Sequence, residues 1–65
     1  MDCTELSLVN GDVYTVEGRF KEIEKALSDA ARSGQSRLAW FTEHGAGRRL
    51  GVNPAHVAAL RPCKP

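Results

Sequence analysis

No apolar run in these 65 residues approaches the roughly 20 needed to cross a bilayer. The first residues, Met1-Asp2-Cys3-Thr4-Glu5, lack the basic and apolar regions of a secretion signal. A cytoplasmic protein with no membrane partner is the expectation from those two absences. Internal repeats, linkers and low-complexity stretches are missing too, so the expected organisation is one small domain over 1–65. The spacing of a metal site is also lacking. Cys3, His44, His56 and Cys63 have the composition of a zinc site, but no two of them stand as C-x-x-C or H-x-x-x-H. No metal and no cofactor are expected.

Catalytic arrangements are equally scarce. Glu22 and Glu24 lie two apart on a helical stretch and point in different directions, which makes a poor acid and base pair. Gly45-Ala46-Gly47-Arg48-Arg49 has glycines beside arginines, but not the Walker spacing or a following helix to hold phosphate. His44 is expected in solvent and His56 against the turn that precedes it. The expectation is no enzyme and no catalytic residue.

Cysteine occurs only at Cys3 and Cys63, close to opposite ends of the chain. Free thiols are the expectation, and a bridge is the alternative. Free thiols near frayed termini suit a reducing cytosol, whereas a bridge between neighbouring terminal strands would close almost the whole chain. Aromatics are few: Tyr14, Phe20, Trp40 and Phe41.

What is present is a globular composition, 42% apolar and 26% charged. The net charge of +1 conceals a division. Residues 1–30 carry three basic against seven acidic side chains, a net of −4, and residues 31–65 carry six against one, a net of +5. Such asymmetry predicts a surface that meets something charged.

Alternation over 4–9, the Asn10-Gly11 pair and the β-formers of 13–16 predict a hairpin. A loop of Asn10-Gly11-Asp12 pairs Leu8 with Tyr14 and Leu6 with Val16 on one apolar face, with Asp12 taking a left-handed conformation. From 19 to 32, Phe20, Ile23, Leu27, Ala30 and Ala31 share one face of an amphipathic helix, with Lys25 spaced to meet Glu22 and Asp29. Gly34 stands where a C-terminal cap belongs. Strands follow over 37–42 and 48–52, joined by a flexible connection at 43–47. Leu38 and Trp40 share one face of the first strand, and Ala39 and Phe41 the other. In the second, Leu50 and Val52 point inward and Arg49 outward. Asn53 caps a short turn that begins at Pro54, and 57–60 form a last short strand. The predicted class is α+β: a small antiparallel sheet of four to five strands, order β-β-α-β-β, with one amphipathic helix on one face.

Trp40 and Phe41 must point to opposite sides of their strand, and one helix covers one side only. One aromatic is therefore left outside, near arginines, as at the centre of an interface. The candidate interaction residues are Arg37, Trp40, Phe41, Arg48, Arg49 and Arg61. A homo-oligomer packed sheet on sheet is the leading expectation, with a protein partner of acidic surface beside it. Nucleic acid held by the arginines through its phosphates is the alternative.

Gly47-Arg48-Arg49-Leu50-Gly51-Val52-Asn53-Pro54-Ala55-His56-Val57-Ala58-Ala59-Leu60 resembles a pattern of small actinobacterial proteins of unknown function, in which a G-R-R hairpin and a short turn lead into a final strand. The resemblance spans roughly residues 36–61 and implies no activity.

Overall fold

The computed structural model describes residues 2–33 and 37–63. Gly34, expected as the helix cap, lies outside them. The strands are β1 (Cys3–Leu8), β2 (Val13–Glu17), β3 (Ala39–Thr42), β4 (Arg49–Val52) and β5 (Val57–Pro62), with one helix, α1 (Phe20–Arg32), between β2 and β3. A 3-10 turn, Pro54–His56, precedes β5. The class is α+β with the expected element order, but the expected continuous sheet is divided. β2-β1-β5 form one antiparallel sheet and β3-β4 a second. The two meet at a corner, where Val16 bridges to Glu43 and the His44 N–H donates to the Thr15 carbonyl at 2.8 Å.

The first hairpin departs from its expected register. Thr4 lies opposite Val16 and Leu6 opposite Tyr14. The loop has three residues as expected, but they are Val9-Asn10-Gly11: Gly11 N–H donates to Leu8 O at 3.0 Å, and Leu8 N–H to Asp12 O at 2.8 Å. The Asn10 side chain accepts from the Asp12 N–H at 3.0 Å, and Gly11 takes the left-handed turn with φ +98°. Glycine adopts that conformation without the Cβ clash that Asp12 would suffer, so the loop sits one residue earlier than expected. Each partner then moves by two residues, which preserves the faces: Leu6 and Val16 remain inward.

Thr4 shares the inward face with Leu6, lies opposite Val16 in this register, and is fully buried. Its hydroxyl donates to the Gly18 carbonyl at 3.0 Å, satisfying both groups. Thr4→Val keeps the shape and deletes that bond, so the urea midpoint should fall by the equivalent of about 1–3 kcal/mol with an unchanged slope. An unchanged midpoint would show that the bond contributes nothing net.

Helix α1 starts where Arg19 still has extended backbone, φ −73° and ψ 151°. The Glu22 carboxylate accepts the Arg19 backbone N–H at 3.2 Å and places an acidic group in the first turn. Lys25 meets Asp29 at 3.3 Å as its spacing predicts, and Arg32 meets the same carboxylate at 3.5 Å. Ile23, Leu27 and Ala30 join Leu6, Val16, Ala39, Phe41 and Val52 in the core. Ala31, expected on the buried face, is exposed.

Asn53 caps the turn before β5 as expected, its side chain accepting from the Ala55 N–H at 2.9 Å. Strand β5 then pairs with β1 through an irregularity: Leu8 faces Val57 but Ser7 faces Ala59, so Ala58 is an extra residue. This bulge lets Val57 and Leu60, three apart, both pack against the core. At the far end of the same ladder Cys3 and Cys63 form a disulfide, with Cα atoms 5.5 Å apart, and the Cys63 N–H donates to the Cys3 carbonyl at 3.1 Å. The expected free thiols are thus replaced by a bridge, because β1 and β5 are neighbours and bring the two ends of the chain together.

Candidate functional site

Pairing of β3 with β4 sets Ala39 opposite Val52 and Phe41 opposite Leu50 on the core side, and Trp40 opposite Gly51 and Thr42 opposite Arg49 on the other. The helix covers the first of these faces. Phe41 is accordingly buried, while Trp40 remains 56% exposed. The aromatic left outside is therefore Trp40, and Phe41 belongs to the core rather than to a contact surface.

The indole is not adrift in solvent. Arg49 lies diagonally across the ladder and holds its guanidinium carbon 5.7 Å from the ring centroid, within cation–π range. Opposite the ring is Gly51, where a β-carbon would stand 2.9 Å from Trp40 Cη2 and 3.1 Å from Leu38 Cδ1. Glycine is thus required here for closeness and not for backbone angle, since the indole and Leu38 occupy the space a side chain would take. Leu38, itself 39% exposed, completes an outward apolar patch. Gly51→Ala should push the indole outward. Because Trp40 is the sole tryptophan, its fluorescence reads this directly: a red-shifted emission in the variant is expected, and an unshifted spectrum would mean the ring does not rest on position 51.

The arginines divide into two groups. Arg48 bonds Glu43 at 3.4 Å across the turn that joins β3 to β4. That turn, expected to be flexible, is closed by Glu43 N–H to Arg48 O at 2.7 Å and Gly47 N–H to Glu43 O at 2.9 Å. Arg61 faces Glu5 directly across the β1–β5 ladder and pairs with it at 3.2 Å. This pair joins the acidic front of the chain to its basic back, so part of the charge division is neutralised within the fold. Arg37 and Arg49 have no carboxylate within 4.0 Å among the described residues. Of the six candidates, the fold gathers Trp40 and Arg49 in direct contact, keeps Arg37 exposed just before the same strand, engages Arg48 and Arg61 elsewhere, and buries Phe41.

Two surface hollows accompany this patch. One, of about 410 Å³, is lined by Asp2, Glu17, Gly18, Arg19, Glu22 and Thr42. Two of its charged groups pair with each other, Arg19 Nε donating to Asp2 at 3.0 Å, and Glu22 accepts the Arg19 backbone N–H. His44 Nδ1 stands 3.9 Å from the Glu17 carboxylate, an ion pair only when the imidazole is protonated. The other is an apolar groove of about 290 Å³ between α1 and the segment Pro54–Leu60, lined by Leu27, Ser28, Ala31, Pro54, Val57 and Leu60 with Glu24 at its side.

Sequence reasoning did not single out Gly51, Leu38 or the groove as parts of a site. A glycine inside a strand opposite a tryptophan was the available signal for the first. The groove depends on the Ala58 bulge and left no local trace. No protein-family model matches the chain, and no curated protein or solved structure matches it either.

Proposed function

We propose that this chain is a small non-enzymatic interaction module, an accessory or regulatory protein that associates with itself through the outward face of β3 and β4. The observation that carries the reading is the seating of Trp40: a large apolar ring, exposed, packed over Gly51 with the Arg49 guanidinium against it. Immobilising a tryptophan before contact reduces the entropy lost on association. Tryptophan and arginine at the centre of a patch are the residues that dominate interface energies.

Molar mass from light scattering tests it. A dimer or larger species that persists at high salt is expected, and Trp40→Ala should return it to monomer. A monomer at every concentration would defeat the reading. A second reading, nucleic-acid binding, is favoured by the same exposed ring, since an indole beside Arg37 and Arg49 is a stacking platform near phosphate-binding charge. Binding of that kind weakens steeply with ionic strength.

For the compartment, no helix of the described residues is long and apolar enough to cross a membrane. The Cys3–Cys63 bond favours an oxidising setting over the expected cytoplasm, because cytosolic thiol buffers keep such pairs reduced.

A further inference from the structure

We infer that the exposed Trp40 of one copy docks into the groove between α1 and β5 of a second copy. This rests on the self-association proposed above and adds where the ring goes. Two surfaces compete to receive it, and charge decides between them. If the Trp40 faces of two copies met symmetrically, Arg37 and Arg49 of each would be brought against Arg37 and Arg49 of the other. Like charges juxtaposed in an interface are a strong bar to association. Neither arginine has a carboxylate of its own within 4.0 Å among the described residues to relieve that repulsion.

The groove offers the opposite environment. Leu27, Ala31, Pro54, Val57 and Leu60 line it with apolar surface, and the charged residue at its side is Glu24. Among the described residues Glu24 has no cation within 4.0 Å. A ring entering this groove brings Arg49 with it, because the guanidinium already lies over the indole. The docked arrangement thus covers the most exposed aromatic side chain and pairs two charges that the single copy leaves without partners.

Donor face and acceptor groove are different surfaces of the same molecule, so each can be disabled separately. Trp40→Ala removes the donor and leaves the groove. Ala31→Lys, at an exposed helical position, places a long cationic side chain in the groove, where it obstructs the ring and repels Arg49, and leaves the donor. Each variant alone should self-associate about 30-fold more weakly than the unaltered chain, the scale of losing a central anchor. An equimolar mixture should recover association, because the Ala31→Lys copy still offers Trp40 and the Trp40→Ala copy still offers a groove. Light scattering of the two variants and their mixture, with circular dichroism to verify folding, reads all of this.

Recovery in the mixture supports the proposal. If Ala31→Lys associates as the unaltered chain does while Trp40→Ala does not, the groove is overturned and a Trp40-centred interface of another geometry survives. Weakening in both variants without recovery in the mixture also overturns the groove as the acceptor. An unaltered chain that is monomeric throughout overturns the self-association on which the inference rests.

Discussion

Reducing the bond between Cys3 and Cys63 should lower the midpoint of thermal unfolding by roughly 15–30 °C. The argument starts from topology. The two cysteines are 60 residues apart, so the bridge closes a loop containing nearly the whole chain. Loop-closure entropy for that length corresponds to about 4 kcal/mol of stabilisation. A chain of this size has only about 3–10 kcal/mol in total. The bond also sits at the open end of the β1–β5 ladder, where Cys63 N–H meets Cys3 O and where β5 would otherwise fray from the sheet. Reduction should therefore loosen β5 first and, with it, the Val57 and Leu60 side of the core. Calorimetry with and without reductant, repeated on Cys3→Ser, makes the comparison. A shift below about 5 °C would mean that the reduced chain is held by its core and ladder alone, with little contribution from loop closure.

Much of this architecture is readable from local sequence. The helix follows from the spacing of Phe20, Ile23, Leu27 and Ala30, and the Asn53-Pro54 pair announces the turn before β5. The alternation through β3 correctly separates Leu38 and Trp40 from Ala39 and Phe41. Features that depend on contacts distant in sequence are not readable in that way. Between β2 and β3 the pairing stops at the single bridge from Val16 to Glu43, which leaves two sheets in place of the one expected, and nothing near either residue announces it. The hairpin register turns on whether Gly11 or Asp12 takes the left-handed position, a choice that shifts every cross-strand partner while leaving both faces intact. In β5 the Ala58 bulge breaks the two-residue period, so Val57 and Leu60 face the same way against the pattern that identifies strands.

The candidate site shows the same limit. Alternation says that Trp40 and Phe41 diverge, but which of them meets solvent depends on which face α1 covers. The arginines are equivalent as a composition and are separated only by their partners: Glu43 takes Arg48, Glu5 takes Arg61, and Arg49 is left over the indole. A charge division that reads as a binding signal along the chain is in part an internal pairing, because β5 returns beside β1.

Replacing either of the two adjacent aromatics by alanine should give opposite kinds of defect. Phe41 is 7% exposed and packs with Leu6, Val16, Ile23 and Val52 in the cluster that joins the helix to both sheets. Phe41→Ala removes that contact and leaves a cavity, at a cost of about 3–5 kcal/mol. Against a total of about 3–10 kcal/mol this leaves a chain partly or wholly unfolded near room temperature. Trp40→Ala removes a ring that lies mostly in solvent. It forfeits the cation–π contact with Arg49 and the cover over Gly51, about 1 kcal/mol or less at an exposed position. That variant should remain folded, with a thermal midpoint within about 8 °C of the unaltered chain. Far-ultraviolet circular dichroism through a thermal ramp distinguishes the two. Equal destabilisation by both substitutions would place Trp40 in the core energetically and remove the reason for assigning it to a partner. A wide gap leaves Trp40 as a residue whose fixed and exposed position the stability of the single copy does not explain.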